Sequence, residues 1–565
     1  MQSVCIRILF PVMLFVAAST PLLAMPDPEV LVPLCEVAGE LPGEDAGALR
    51  VTVDTEAVAR LQALDRARLS DVPLPGGGRV SLDVGRVHVS RPDSLLFVDG
   101  ERAGEGDLEN GLSMWSGTIV GQEGSNVFLA FSRHGSRGWI HGQERVNLMA
   151  GPGPDGDWSE SRAWMVTDAW AHDNGLETSL DCGTGPLLEE WKPFPEPVSG
   201  SQALTHDFLP LYDCRIPVET DYQYFQVFGD LDAARTYAVS IFGAVGLRYR
   251  EQIGAILTLP YLGLYTGPAD PWTTQEMGGN CVDLLYEFQA AWREGGAPVS
   301  GDLYHIMSGA DLICGAGFID ALCSQERGFS VSCCITGQSP LPTIPSHPLN
   351  QDFYVVAHEV GHNFGTVHTH QYCPPLDECA LPAVWGPCQD ETFCPPEGGT
   401  IMSYCNSCGG FEYITTYFHP EVASLMRSKV EASCLPLYRG VDATDIGYSL
   451  EGSNGVPSLE LSFTRDPDVF HVAVTDAPLN EKGGLIVSFS LALTPFHGGI
   501  LVPEILRVRR VRAGMGGALN LGIAIGPNRH FPEGQIGWAQ AWFRDPAGPN
   551  GFAATNGVEF EIILP

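Results

Sequence analysis

Between Ala357 and His370 the chain reads A-H-E-V-G-H-N-F-G-T-V-H-T-H, which sets His358, Glu359, His362, Gly365 and His368 at the spacing HExxHxxGxxH. Helical residues four apart lie one turn apart on the same face, so His358 and His362 can offer two imidazole nitrogens to one zinc ion. Glu359 then stands beside the metal rather than on it. A catalytic zinc takes a third protein ligand and leaves one tetrahedral position for water. A helix that simply continued would carry His368 well past the ion, because each residue advances about 1.5 Å along the axis. The chain must turn back. Gly365 allows this, since glycine enters the left-handed conformation at a helix end without a Cβ clash, and His368 can then swing under the metal. The expected chemistry is hydrolysis. Zinc brings the pKa of its water to about 7 and polarises a carbonyl, while Glu359 takes the water's proton and delivers it to the leaving amine. His370 is a competing third ligand, but it breaks the spacing.

Further along, Thr400-Ile401-Met402-Ser403-Tyr404 places a methionine in a short turn-like stretch. The histidine motif and this stretch together resemble the metzincin zinc proteases, whose second mark is a tight turn with a methionine beneath the site. The resemblance implies that Met402 is a hydrophobic floor under the histidines. It also puts Tyr404 where astacin- and serralysin-type relatives hold a tyrosine that reaches the metal or the oxyanion; packing beside Cys405 is the alternative. Reprolysins carry Asp directly after the third histidine. This chain has Thr369 there, as in the pappalysin-type branch, so both branches stay open.

The segment Trp115–Ser132, followed by Gly138-Trp139-Ile140, resembles the propeptide domain of reprolysin (ADAM-type) proteases, with a strand, a Gly/Ser turn, a strand and a Gly-aliphatic step. A plain β-sandwich accessory domain is the competing assignment. Asp181-Cys182-Gly183 comes near the end of this region. Reprolysin propeptides use a Cys-Gly pair to silence the enzyme, and a thiolate in the fourth zinc position would do so by displacing the water. Cys182 is therefore a candidate cysteine switch, and a disulfide to Cys35 is the alternative. The resemblance makes a structural calcium ion a second candidate cofactor, with Glu219 or Asp221 as ligands. No EF-hand or RTX repeat demands it.

These parts need a scaffold that the rest of the chain can supply. At 565 residues it is too long for one core. Arg7 precedes an apolar run from Ile8 that closes at Ala24, so residues 1–24 read as a secretory signal peptide, with an uncleaved anchor as the alternative. Residues 25–200 read as a β-rich, propeptide-like domain and linker. Leu49–Val53 and Val80–Val84 alternate with period two, and 192–201 is rich in proline and small polar residues. Residues 206–436 change to α/β texture and match the size of one metzincin catalytic domain, an α/β (α+β) fold with a mixed sheet and an active-site helix. Its expected elements are a strand at Ile216–Asp221, a helix from Leu231 to Arg250, a buried strand over Ile256–Leu264 and a helix from Cys281 to Trp292. Strands are also expected over Asp302–Gly309 and Gly315–Cys323; the resemblance makes an edge strand here the border of the substrate cleft. Residues 440–565 alternate in short runs such as Ser458–Phe463 and Leu485–Ser490, which suggests a C-terminal β-sandwich.

Thirteen of the sixteen cysteines lie between Cys214 and Cys434, a clustering that means disulfides in an exported chain. Loss of Cys5 with the leader leaves an odd number, so at least one should be unpaired, and Cys182 is the candidate. The net charge of −37 sets nucleic acid and anionic lipid aside as partners, and no segment after the leader is apolar enough to insert in a membrane. Absence of any Asn-x-Ser/Thr acceptor fits a bacterial source. The expectation is a secreted zinc endopeptidase, made as a zymogen and acting on protein or peptide substrates. Two other classes remain open. One is a catalytically silent zinc-binding adhesion protein. The other is a binding protein that acts through its C-terminal sandwich on a surface, glycan or matrix partner.

Overall fold

Four short segments, Val218–Thr220, Tyr261–Leu264, Tyr304–Met307 and Phe329–Ser332, are buried at every residue. That is the pattern of parallel strands covered on both faces. In the computed structural model they form the middle of a seven-stranded sheet. The order is Gly315–Gly317, Phe329–Ser332, Tyr304–Met307, Val218–Thr220, Tyr261–Leu264, Leu95–Val98 and Glu101–Arg102. All neighbours run parallel except the outermost strand on each side, which runs antiparallel to its neighbour. The structure describes residues 30–31, 35–40, 48–150, 162–167, 211–337 and 351–562, apart from short stretches within these ranges. The apolar leader, Cys182 and the 192–201 linker lie outside the described residues.

Three helices pack on this sheet, Leu231–Arg248, Cys281–Glu294 and Gln351–Asn363. Leu231–Arg248 starts at Asp230, whose side chain accepts a hydrogen bond from the Ala233 N–H, and is buried from Ala234 through Arg248. A helix without a polar face must be covered on all sides. It runs into a π turn over Tyr249–Ile253 and stops at Gly254, whose φ is 74°. Cys281–Glu294 is instead amphipathic, capped by a reciprocal Asn280–Asp283 box, with Leu284, Leu285, Phe288 and Trp292 turned inward. The single strand expected over Ile256–Leu264 is two. Ala255–Thr258 pairs with Tyr212–Arg215 and Tyr261–Leu264 joins the large sheet, because Pro260 between them has no N–H to give a ladder. The strand expected over Gly315–Cys323 shortens to Gly315–Gly317 before the chain turns through Asp320 and Cys323, both at positive φ.

The N-terminal region is β-rich, as expected, but it is one ten-stranded sheet rather than a sandwich. Leu112–Ile119, Asn126–Ser132 and Gly135–His141 are consecutive antiparallel neighbours in it. Leu95–Val98, from the same part of the chain, leaves that sheet to pair with Tyr261–Leu264. Beyond residue 440 the chain is again β-rich. Leu459, Leu461, Phe470 and Val472 of a three-stranded sheet share one core with Leu485, Phe543, Val558 and Phe560 of a six-stranded one. No helix among the described residues is long and apolar enough to cross a membrane.

Five disulfides are formed among the described residues: Cys281–Cys333, Cys323–Cys434, Cys373–Cys388, Cys379–Cys405 and Cys394–Cys408. Cys214 is buried and unpaired, and burial holds its thiol well above the usual range. An odd cysteine therefore does not by itself single out Cys182. The Cys323–Cys434 bridge closes 111 residues of chain. The double Cys→Ser variant at these positions is expected to lose about 2–5 kcal/mol of stability, read as a lower urea midpoint with activity retained below it.

Candidate metal centre and active site

The helix Gln351–Asn363 carries the first two histidines and is buried along its whole length. Both ends are tied down. At the start, the Asp352 carboxylate accepts from the Thr336 and Gly337 backbone N–H groups and from the hydroxyl of Tyr237. At the end, the Asn363 amide donates to the carbonyls of Phe318, at 2.8 Å, and Phe329, at 3.0 Å. Gly365 then adopts φ 98° and the chain reverses, as its position in the motif predicts. The N–H groups of Gly365 and Asp320 satisfy the His362 carbonyl, and that of Ala321 satisfies Asn363. After the turn, the Thr369 N–H donates to the Met402 carbonyl at 2.9 Å, which fixes His368 over the segment Thr400–Ser403.

The result brings His358, His362 and His368 together, with ring centroids 4.9, 5.2 and 4.7 Å apart and one nitrogen of each within 4.8 Å of the others. His358 Nδ1 lies 2.8 Å from the Ile401 carbonyl and His362 Nδ1 lies 2.9 Å from that of Thr366. A carbonyl only accepts, so both Nδ1 atoms carry the proton and both Nε2 atoms keep a lone pair. The Nε2 atoms of His358 and His368 are buried without any hydrogen-bond partner. Burial pushes His362 down to about 4 and holds His358 and His368 well below the usual range, with their mutual repulsion adding to the effect. Three neutral imidazoles whose buried lone pairs converge on one point are the donor set that zinc takes, so these residues fit the ion.

Glu359 is buried beside the histidines, and the strand Gly315–Gly317 lies directly against it. A Cβ on Gly315 would fall 2.5 Å from Glu359 Oε1, and one on Gly317 would fall 2.6 Å from the Glu359 carbonyl. Both glycines are needed for the strand to come this close. Met402 lies under the helix, its Sδ 2.7 Å from where a Cβ on Gly361 would be. The motif leaves the residue at Gly361 open, so spacing alone did not mark it. Only the partner it faces shows why a side chain is excluded.

The Tyr404 ring lies 4.5 Å from that of His368 and 4.8 Å from that of His370. His370 stacks flat on His368 at 5.2 Å and is not part of the converging set. The two candidate calcium ligands are engaged otherwise. Asp221 caps the helix Tyr222–Phe228 and accepts from Gly309 and Ser308. Burial lifts Glu219 to about 8, which leaves it uncharged at neutral pH, and the Tyr261 hydroxyl donates to it. Neither belongs to a cluster of three metal-ligating side chains among the described residues.

Residues 211–418 match the family model of reprolysin-type domains in metallo-peptidase family M12. This region is a reprolysin-like M12 metallopeptidase domain. Solved structures similar to the chain include metalloproteinase-II from Bacteroides fragilis, at 11% identity over 66% of this chain and 96% of that one, with a TM-score of 0.35. Another is catalytically inactive OgpA from Akkermansia muciniphila with an O-glycopeptide (glycodrosocin) substrate, at 12% identity over 65% and 97%, with a TM-score of 0.23. A third is a chaperone–substrate complex, at 13% identity and a TM-score of 0.26. The match covers 40% of this chain and about a third of that relative's length, 36%. Scores this low decide neither fold nor substrate. No curated protein matches the chain.

The M12 domain leads to two expectations. Gly315→Ala should displace the Glu359 carboxylate and cut peptide hydrolysis by about 10²-fold with zinc content unchanged, as misplacement by an ångström does elsewhere. Unaltered turnover would mean that the carboxylate does not act from this position. The second concerns acid. His362 is held down to about 4 and His305, fully buried on the strand Tyr304–Met307, to about 3. An unfolded chain binds protons at both below about pH 6.5 and the folded one does not, so these two histidines withdraw stability from the metal-free protein as pH falls from there towards 4, while Glu219, held up to about 8 by burial, acts with the opposite sign. The slope should approach roughly 1.4 kcal/mol per pH unit for each histidine. Urea midpoints measured in chelator for the chain and for His305→Gln test this: the variant should lose one such slope, and two identical profiles would contradict it.

Proposed function

We propose that the chain is an exported zinc endopeptidase made in a latent form, with His358, His362 and His368 as the metal ligands and Glu359 as general acid and base. One observation carries the reading. Three buried neutral imidazoles turn their lone pairs to a common point while a buried carboxylate lies next to them on the same helix. Zinc bound there supplies Lewis-acid polarisation of a carbonyl and brings water to a pKa of about 7.

The chain's own residues do the rest. The Glu359 carboxylate takes a proton from the attacking water and returns it to the nitrogen of the leaving amine. The Ile401 and Thr366 carbonyls hold the His358 and His362 rings in one tautomer and one orientation. Met402 fills the space below the rings and keeps water from that side. Tyr404, in ring contact with His368, is placed to donate its hydroxyl to the oxygen that gains charge in the transition state. The strand Gly315–Gly317 ends the sheet next to Glu359, and an extended peptide added alongside it would lie across the histidines. Latency is assigned to the thiol of Cys182, and export to the leader and the disulfides.

Glu359→Ala is expected to keep its zinc by metal analysis while losing peptide cleavage by about 10²–10⁴-fold or more. His362→Ala should lose the zinc itself. Undiminished cleavage by a zinc-replete Glu359→Ala chain would remove the glutamate from the mechanism.

A further inference from the structure

We propose that the N-terminal β-domain is a permanent part of the peptidase fold, so that a cut between residues 168 and 210 leaves residues 87–141 bound to the catalytic domain. A removable propeptide meets its enzyme through a surface that both halves can later expose to water. The contact here is of another kind.

It begins in the main chain. Leu95–Val98 is a parallel strand of the catalytic sheet, paired residue by residue with Tyr261–Leu264. The register is locked on either side by Leu95 N–H to the Pro260 carbonyl at 2.9 Å and Asp99 N–H to the Leu264 carbonyl at 2.8 Å. Leu259, on the catalytic side, returns a bond to the Val89 carbonyl. The Asp99 carboxylate accepts from the Thr266 N–H and hydroxyl, at 2.7 and 2.6 Å. Separation would leave Tyr261–Leu264 as a raw sheet edge made of buried residues.

The side chains carry the argument further. Leu231–Arg248 is buried from Ala234 through Arg248, and residues of the N-terminal sheet form part of its cover. Gly246 faces Leu257, on the strand Ala255–Thr258 that pairs with Tyr212–Arg215, at 3.8 Å. A Cβ on Gly243 would fall 2.5 Å from Met114 Sδ and 3.5 Å from the Phe128 ring, so the helix and the N-terminal sheet meet at a glycine. Val89, Leu108, Leu112, Met114, Phe128 and Trp139 are each at most 3% exposed and share one core with this helix. The N-terminal sheet therefore supplies part of the cover that makes a helix with this sequence tolerable in water.

Charges close the contact. Arg91 pairs with Asp213 at 2.6 Å, and Asp213 is only 5% exposed. Arg235, on the helix and equally buried, donates to the carbonyls of Leu108 and Asn110. Pulling the halves apart would break all three contacts, leaving Arg235 only Asp232 of its own helix and Asp213 only the Thr258 hydroxyl. An interface this large and apolar does not open as a matter of course.

The test uses the full chain with a specific protease site inserted in the 192–201 linker, made in the Glu359→Ala background so that self-cleavage cannot interfere. After cutting, size exclusion in native buffer is expected to show one species with the mass of the intact chain, and the halves should part only in denaturant. Arg91→Ala, which removes the cation paired with Asp213, should lower the urea concentration at which they part. Separation in native buffer, with a folded and monodisperse C-terminal fragment, would overturn the proposal, as would an Arg91→Ala chain that parts at the same urea concentration. The readout is association rather than turnover. It therefore stands or falls apart from the peptidase reading.

Discussion

The structure depends on keeping three imidazoles neutral and dry. A buried ring nitrogen without a partner costs free energy, on the order of 1–3 kcal/mol each, and here His358 and His368 each present one at the same place. That arrangement persists only if everything around it is stiff. The Gln351–Asn363 helix is accordingly pinned by Asp352 at one end and by Asn363 at the other, and the return of the chain through Gly365 is held by backbone bonds to Asp320, Ala321 and Met402. The ion that these nitrogens await would turn their unfavourable burial into ligand binding. The protein's own packing thus sets the ligand geometry in advance.

Much of this could be read in the sequence because the chemistry leaves little freedom. The spacing of His358 and His362 fixes a helix, Gly365 fixes its end, and His368 has one place to go. Met402 was marked by its order in the chain. Close approach was not legible. Gly315, Gly317 and Gly361 look like ordinary glycines until the atoms opposite them are known, and those atoms are distant in sequence or, for Gly361, presented by a separate turn. Pairing across long separations was hidden for the same reason. The two strands around Pro260 were read as one because both are apolar, and period alone does not show which neighbour each will find.

The helix Leu231–Arg248 shows how a sequence can announce a need without naming what meets it. Its apolar residues surround the axis, so cover on both sides was implied. That the second cover comes from residues more than a hundred positions earlier could not be inferred from periodicity. The charge balance was similarly mute. An excess of 68 acidic over 31 basic residues says nothing of where the few arginines go, yet Arg91, Arg235 and Arg248 are all drawn into or beside this contact, the last lying over the Trp139 ring at 5.3 Å.

The strand Leu95–Val98 also bears on how the molecule is made. A ribosome delivers residues from the N-terminus, so this segment emerges long before Tyr261–Leu264, the neighbour it must lie beside. Until that neighbour arrives, the early β-domain carries an unclaimed ribbon and an oily flank, the features that invite wrong pairings between nascent chains. Completion of the first half therefore waits on the second, and a chaperone that shields residues 87–141 during synthesis would relieve the most vulnerable interval in the protein's biogenesis.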